Sequence, residues 1–119
     1  MKYMLMMFGS QAGMLETASP EWIGEMMEYM HRLNADLEKS GELVDARGLA
    51  DGSAAKLVRL KDGLPVTTDG PFAESKESLI GFWVVDVEHE ARAIEIASGV
   101  VKYSQVVEVR QVMDAPPEM

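Results

Sequence analysis

The chain has 119 residues, of which 47% are hydrophobic, so it fits a single domain with a modest core. Its formal net charge of -9 argues against a surface for nucleic acid or an anionic membrane. It contains no cysteine, which excludes disulfides, thiolate nucleophiles and cysteine-ligated metals, and which fits a cytoplasmic location.

The first predicted element is a β-strand over residues 3–8, which is apolar on both alternating faces. The apolar run stops at Gly9, Ser10 and Gln11, which is short for the hydrophobic region of a signal peptide. No other segment approaches the roughly 18 apolar residues of a membrane-spanning helix. We therefore expect a strand that is covered on both sides.

The second element is a helix. Ser19 is a good N-cap, Pro20 suits the first helical position, and Gly41 is a typical left-handed C-cap. Apolar residues recur at helical spacing between these caps: Ile23, Met26, Met27, Met30, Leu33 and Leu37.

The middle of the chain has a strand-like pattern. The segments "ELVDARGLA" and "AKLVRL", separated by the turn "DGSA", predict a β-hairpin. After "KDG", the segment "PVTTDGPF" leads into a Gly-Pro corner. Residues 79–87 then predict another strand that is apolar on both faces.

The last elements are a second helix and a final strand. The helix is expected to begin after Glu88 and to stop near Gly99. In the strand "SQVVEVRQV", Val107 and Val109 lie on one face, and Glu108 and Arg110 lie on the other. These elements give a single domain over residues 1–112, followed by an extended tail over residues 113–119.

The order β-α-β-β-(β)-β-α-β predicts an α+β fold with a mainly antiparallel sheet and both helices on one face. Because both helices lie on one face of the sheet, they leave its second apolar face uncovered. The simplest cover for that face is another copy of the chain. We therefore expect a homodimer packed sheet to sheet, with Glu108 and Arg110 near an inter-subunit pocket.

Several motifs carry a family resemblance: "DGPFAESKE", "LVRLKDGLPVTTDGPF", "SGELVDARGLA" and "VEVR". With them, nearly the whole chain resembles the DGPF subgroup of the YciI-like (YCII-related) family. The resemblance implies a ferredoxin-like fold and a dimeric α/β-barrel assembly. One relative removes chloride from a chlorinated aromatic, and many genes of the subgroup lie beside extracytoplasmic-function sigma factors.

The charged stretch "TTDGPFAESKE" has two interpretations. In the functional one, a stiff Gly-Pro turn delivers Asp69 to a partly dry pocket as an acid or base. Lys76 then binds an anionic substrate, with Glu74 and Phe72 beside it. In the structural one, Asp69 caps its own turn, Lys76 pairs with Glu74 or Glu77, and Phe72 fills the core.

His31 is the natural partner for Asp69, because histidine exchanges protons near neutral pH. Other YciI-like proteins carry a histidine on the first helix and are suspected of using a His–Asp pair. A gapless match places Met30 at the position of that histidine. His31 lies one residue further along, which is a rotation of about 100° around the helix axis. The alternative is a solvated histidine beside Arg32.

Arg110 could hold a carboxylate ligand, although an arginine on an acidic protein also pairs with Asp or Glu. The sequence has no spaced histidine pair and no cysteine, so we expect no metal and no cofactor.

Two functions remain open, and the residues do not decide whether the chain is an enzyme. The first is small-molecule binding, with cofactor-free isomerase or lyase chemistry that uses Asp69 and His31. The second is a sensing or regulatory module linked to a sigma factor.

Overall fold

The structure is a computed structural model that describes residues 1–9, 17–70 and 78–114. Within these residues the chain forms, in order, β1 (Lys2–Gly9), α1 (Pro20–Ser40), β2 (Leu43–Gly48), β3 (Lys56–Lys61), β4 (Leu64–Asp69), β5 (Ser78–Asp86), α2 (Glu90–Ser104) and β6 (Val107–Val112). The order of strands and helices is the predicted one.

Helix α1 begins and ends at the predicted caps. The Ser19 hydroxyl oxygen accepts a hydrogen bond of 3.1 Å from the backbone N–H of Trp22. Gly41 adopts the left-handed conformation, with φ at 81°, and its N–H donates to the Glu38 carbonyl. The sequence signals for both ends of this helix are therefore confirmed.

The main sheet has the strand order β2-β5-β1-β6, and every pair in it is antiparallel. Leu5 of the central strand lies opposite Trp83 on one side and Val109 on the other. These side chains face the two helices and belong to one hydrophobic core, in which Leu37 and Val100 are fully buried. This arrangement is a ferredoxin-like α+β fold, as predicted.

The predicted hairpin is wrong in its pairing. Strand β2 pairs with β5, whereas the hairpin consists of β3 and β4. Its turn is Asp62-Gly63, where both residues have positive φ, as the favoured two-residue hairpin turn requires. The earlier "DGSA" segment instead contains a short 3-10 turn, Gly52–Ala54, which leads the chain away from β2.

The predicted end of the second helix is also wrong, because α2 continues past Gly99 to Ser104. A β-carbon built on Gly99 would lie only 1.9 Å from the Tyr29 hydroxyl oxygen. Gly99 therefore makes room for a tyrosine of α1 and does not stop the helix.

The second face of the sheet is apolar as well. Met4 lies opposite Val84, and Met6 lies opposite Phe82, on the face that points away from the helices. All four side chains are only partly buried. The two-sided pattern read from the sequence is therefore present in the structure.

The β3–β4 hairpin makes few contacts with the main sheet. Its base is closed by a hydrogen bond of 2.8 Å from the Gly70 N–H to the Ala55 carbonyl. Beyond this base the hairpin exposes apolar side chains, with Val58, Leu60 and Leu64 each about two-thirds or more exposed.

Candidate functional site

A cavity of about 460 Å³ lies between helix α1 and the sheet, over strands β2 and β5. Much of its wall is formed by methionines, whose flexible thioether side chains adapt to different shapes. These methionines are Met7, Met26, Met27 and Met30.

The floor of the cavity lacks side chains because two glycines face each other across neighbouring strands. Gly48 of β2 is the register partner of Gly81 of β5, and the next pair on the same face is Ala46 with Trp83. A β-carbon built on Gly48 would meet nothing within 4 Å. A larger residue at position 48 would therefore fill space that the cavity now occupies, whereas a β-carbon on Gly81 would lie 3.2 Å from the Arg47 backbone oxygen.

The helical wall comes from the sheet-facing flank of α1. Ile23, Met27 and Met30 recur at intervals of three or four residues, and His31 lies beside Met30 on the same flank. His31 is exposed but lines the cavity, so its ring lies at the rim. The predicted catalytic role of His31 stays a prediction.

Asn34 and Trp83 form a hydrogen-bonded pair in the wall. The Trp83 indole N–H donates to the Asn34 side-chain oxygen at 2.7 Å, and Trp83 is only 4% exposed. The bond satisfies a buried polar group that would otherwise be costly. It also fixes the orientation of the Asn34 amide.

Asp69 is not among the described residues that line the cavity. Its side chain is 84% exposed and forms an ion pair with Lys56, its cross-strand partner at the base of the hairpin. Within one chain the structure therefore does not bring Asp69 together with His31, and the catalytic role of Asp69 stays a prediction.

The other predicted ligand-binding residues are not at the cavity or lie outside the described part. Arg110 is exposed on β6 and forms an ion pair of 2.8 Å with Glu108 on the open face. Phe72, Glu74 and Lys76 belong to residues 71–77, which lie outside the described residues.

The cavity carries little charge. Arg47 is at its edge, but it lies opposite Phe82 in the register, and its guanidinium is 3.0 Å from the Asp45 carboxylate. No group of three or more histidines or carboxylates within residues 1–9, 17–70 and 78–114 could hold a metal ion. The site is therefore mainly apolar, with His31, Asn34 and, at its edge, Arg47 as polar side chains that line it.

The residues that create the site were not identified from the sequence. Gly48 and Gly81 each interrupt a strand-like segment, which is a recognised sign that another group approaches the backbone closely. Asn34 is a polar residue at helical spacing from Ile23, Met27 and Met30. These signals mark the three residues as unusual, but they do not show that the two glycines pair to form a floor.

Comparison with known proteins places nearly the whole chain in one family. A relative from Rhizobium meliloti (strain 1021), an uncharacterised protein, is 34% identical over 86 residues, which cover 69% of each chain. No helix among the described residues is long and apolar enough to cross a membrane. The model of the YCII-related domain matches residues 1–116, and the chain therefore belongs to the YCII-related family.

Proposed function

We propose that the chain is a small-molecule-binding protein whose ligand occupies the cavity between α1 and the sheet. The observation that carries this proposal is the cavity itself, whose 460 Å³ lies within the usual range for ligand sites. Its methionine walls suit an apolar ligand, and its glycine floor allows that ligand to approach the backbone.

His31 adds the capacity for acid–base chemistry. It lies at the rim of an apolar cavity, where an imidazole can give a proton to a ligand or take one from it. This supports cofactor-free isomerase or lyase chemistry. The pairing of His31 with Asp69 is not needed for binding and stays a prediction.

The methionines allow a direct test of binding. In protein labelled with carbon-13 at the methionine methyl groups, small apolar molecules should shift the NMR signals of Met7, Met26, Met27 and Met30. Met4 and Met6 lie on the opposite face and should not respond.

Gly48→Val should abolish these shifts, because the new side chain enters the space above the floor without meeting another atom at its β-carbon. Valine also suits a strand, so the protein should keep its stability. Gly24→Val is a matched control, since Gly24 is exposed on α1, does not line the cavity and has open space around it. Equal ligand responses in both variants would refute the proposed site.

The alternative function, a sensing module linked to an extracytoplasmic-function sigma factor, stays a prediction. It would use the same ligand cavity. The variant His31→Gln separates the enzymatic function from the sensing function. In both cases ligand binding should change by less than about twofold, but an enzyme should also lose its turnover of that ligand.

A further inference from the structure

We infer that the cavity selects apolar ligands that carry a hydrogen-bond-accepting oxygen, such as a carbonyl, and that the side-chain NH₂ of Asn34 is the group that recognises this oxygen. The inference rests on the proposed function, because it concerns the ligand of the same cavity.

The Trp83 indole fixes which end of the Asn34 amide is available. An indole N–H can only donate, so the amide must present its oxygen to it, and the distance of 2.7 Å fits such a bond. An amide is planar, and its NH₂ group therefore points away from the nitrogen of Trp83.

This NH₂ group has donor capacity to spare. The hydrogen bond found for the Asn34 side chain within residues 1–9, 17–70 and 78–114 is the one that its oxygen accepts from Trp83. Asn34 is partly buried and lines the cavity, so its NH₂ group can bond to water when no ligand is bound. An apolar ligand would displace that water and leave the donor unpaired, whereas a ligand with an oxygen in the right place would replace the lost bond.

The position of Asn34 also orients the ligand. His31 lies three residues earlier on the same flank of α1, whereas Gly48 and Gly81 form the opposite floor. The polar end of the ligand therefore lies against α1, close to His31, and its apolar part lies over the glycines.

Two probes of nearly equal shape test the inference: 2-acetylnaphthalene, which has a carbonyl oxygen, and 2-isopropenylnaphthalene, which has a methylene group in its place. Their dissociation constants are measured from the methyl shifts of the cavity methionines. The preference for the ketone is the dissociation constant of the alkene divided by that of the ketone. This ratio should be about tenfold larger in wild-type protein than in Asn34→Asp.

Asn34→Asp keeps the size of the side chain and an oxygen for Trp83, but at neutral pH it has no proton to donate. The indole N–H signal of Trp83 in a nitrogen-15 spectrum reports whether that bond persists. An unchanged ratio of the two constants, with that signal unchanged, would overturn the inference.

The outcomes also separate the two proposals. If both probes shift the cavity methionines in wild type and not in Gly48→Val, but Asn34→Asp keeps the wild-type ratio, then the role of Asn34 is wrong and the binding site stands. If neither probe shifts Met7, Met26, Met27 or Met30, both proposals are wrong.

Discussion

At the scale of single residues, Gly99 shows how a missing side chain determines helix packing. The Tyr29 hydroxyl lies where a β-carbon of residue 99 would be, and the Tyr29 ring packs on Tyr103 with centroids 5.2 Å apart. Burial in this contact, together with the neighbouring Tyr103, raises the pKa of Tyr29. The two helices therefore approach each other where residue 99 has no side chain to displace the Tyr29 hydroxyl.

Gly99→Ala should lower the free energy of unfolding by about 1–2 kcal/mol, because Tyr29 must move. In a Tyr29→Phe background the same substitution should be nearly neutral, since the nearest ring carbon is 3.2 Å from the new β-carbon and alanine favours the helix. Urea denaturation of the four proteins gives the coupling between the two sites. Equal costs in both backgrounds would contradict this account.

Single residues were also where sequence reasoning about the site was least complete. His31 was identified by its chemistry, and it lies at the cavity. The glycine pair and Asn34 were not identified, because a bare floor depends on which strands pair, and the partner of Gly48 is 33 positions away in the chain. Local spacing contains no information about that pairing.

At the scale of elements, an ion pair joins the end of α1 to the start of α2. The Arg92 guanidinium makes two contacts of 2.9 Å with the Glu42 carboxylate, directly after the C-cap of α1, and Ser40 donates to the same carboxylate at 2.8 Å. Arg92 also pairs with Glu95. The hydrogen bonds from Arg92 lower the pKa of Glu42.

Stability should therefore depend on pH through Glu42. Because the folded state lowers its pKa, the carboxylate stabilises the protein above the ordinary value of 4.5, and this contribution is lost as the pH falls through the folded-state pKa. Glu42→Gln should cost about 1 kcal/mol at pH 7 and progressively less towards pH 3. Urea titrations across this range measure the difference.

Glu25→Gln, on the exposed surface of α1, is the control for a general charge effect. A cost for Glu42→Gln that stays constant from pH 7 to pH 3 would show that the ion pair does not stabilise the fold.

The type and order of the elements were predictable because caps and periodicity are local signals. Ser19, Pro20 and Gly41 marked α1 correctly. The hairpin was mispaired because "DGSA" and "KDG" both contain the Asp-Gly dipeptide of tight hairpins, and only Asp62-Gly63 adopts the positive φ angles of that turn. The dipeptide occurs in both turns, so it does not by itself show which segments pair.

At the scale of the whole molecule, the face of the sheet opposite the helices remains to be covered. Met4, Met6, Phe82 and Val84 form an apolar patch across its two central strands. We propose, as the sequence pattern suggested, that a second copy of the chain packs on this patch in a dimeric barrel. Glu108 and Arg110 then lie at its edge.

Met6→Lys should convert this dimer to a monomer, because it places a charge in the middle of the patch. Sedimentation velocity at micromolar concentration measures the change, and Ala35→Lys on the exposed side of α1 is the control. A wild-type protein that sediments as a single chain would disprove the assembly. Neither result affects the cavity, which one chain forms by itself.

The β3–β4 hairpin has a consequence for the modular design of the chain. Its two ends meet at Ala55 and Gly70, and β2 and β5 pair with each other without its help. None of residues 56–69, all of which the structure describes, lines the ligand cavity, so substitutions in the hairpin should leave the shape of the cavity unchanged.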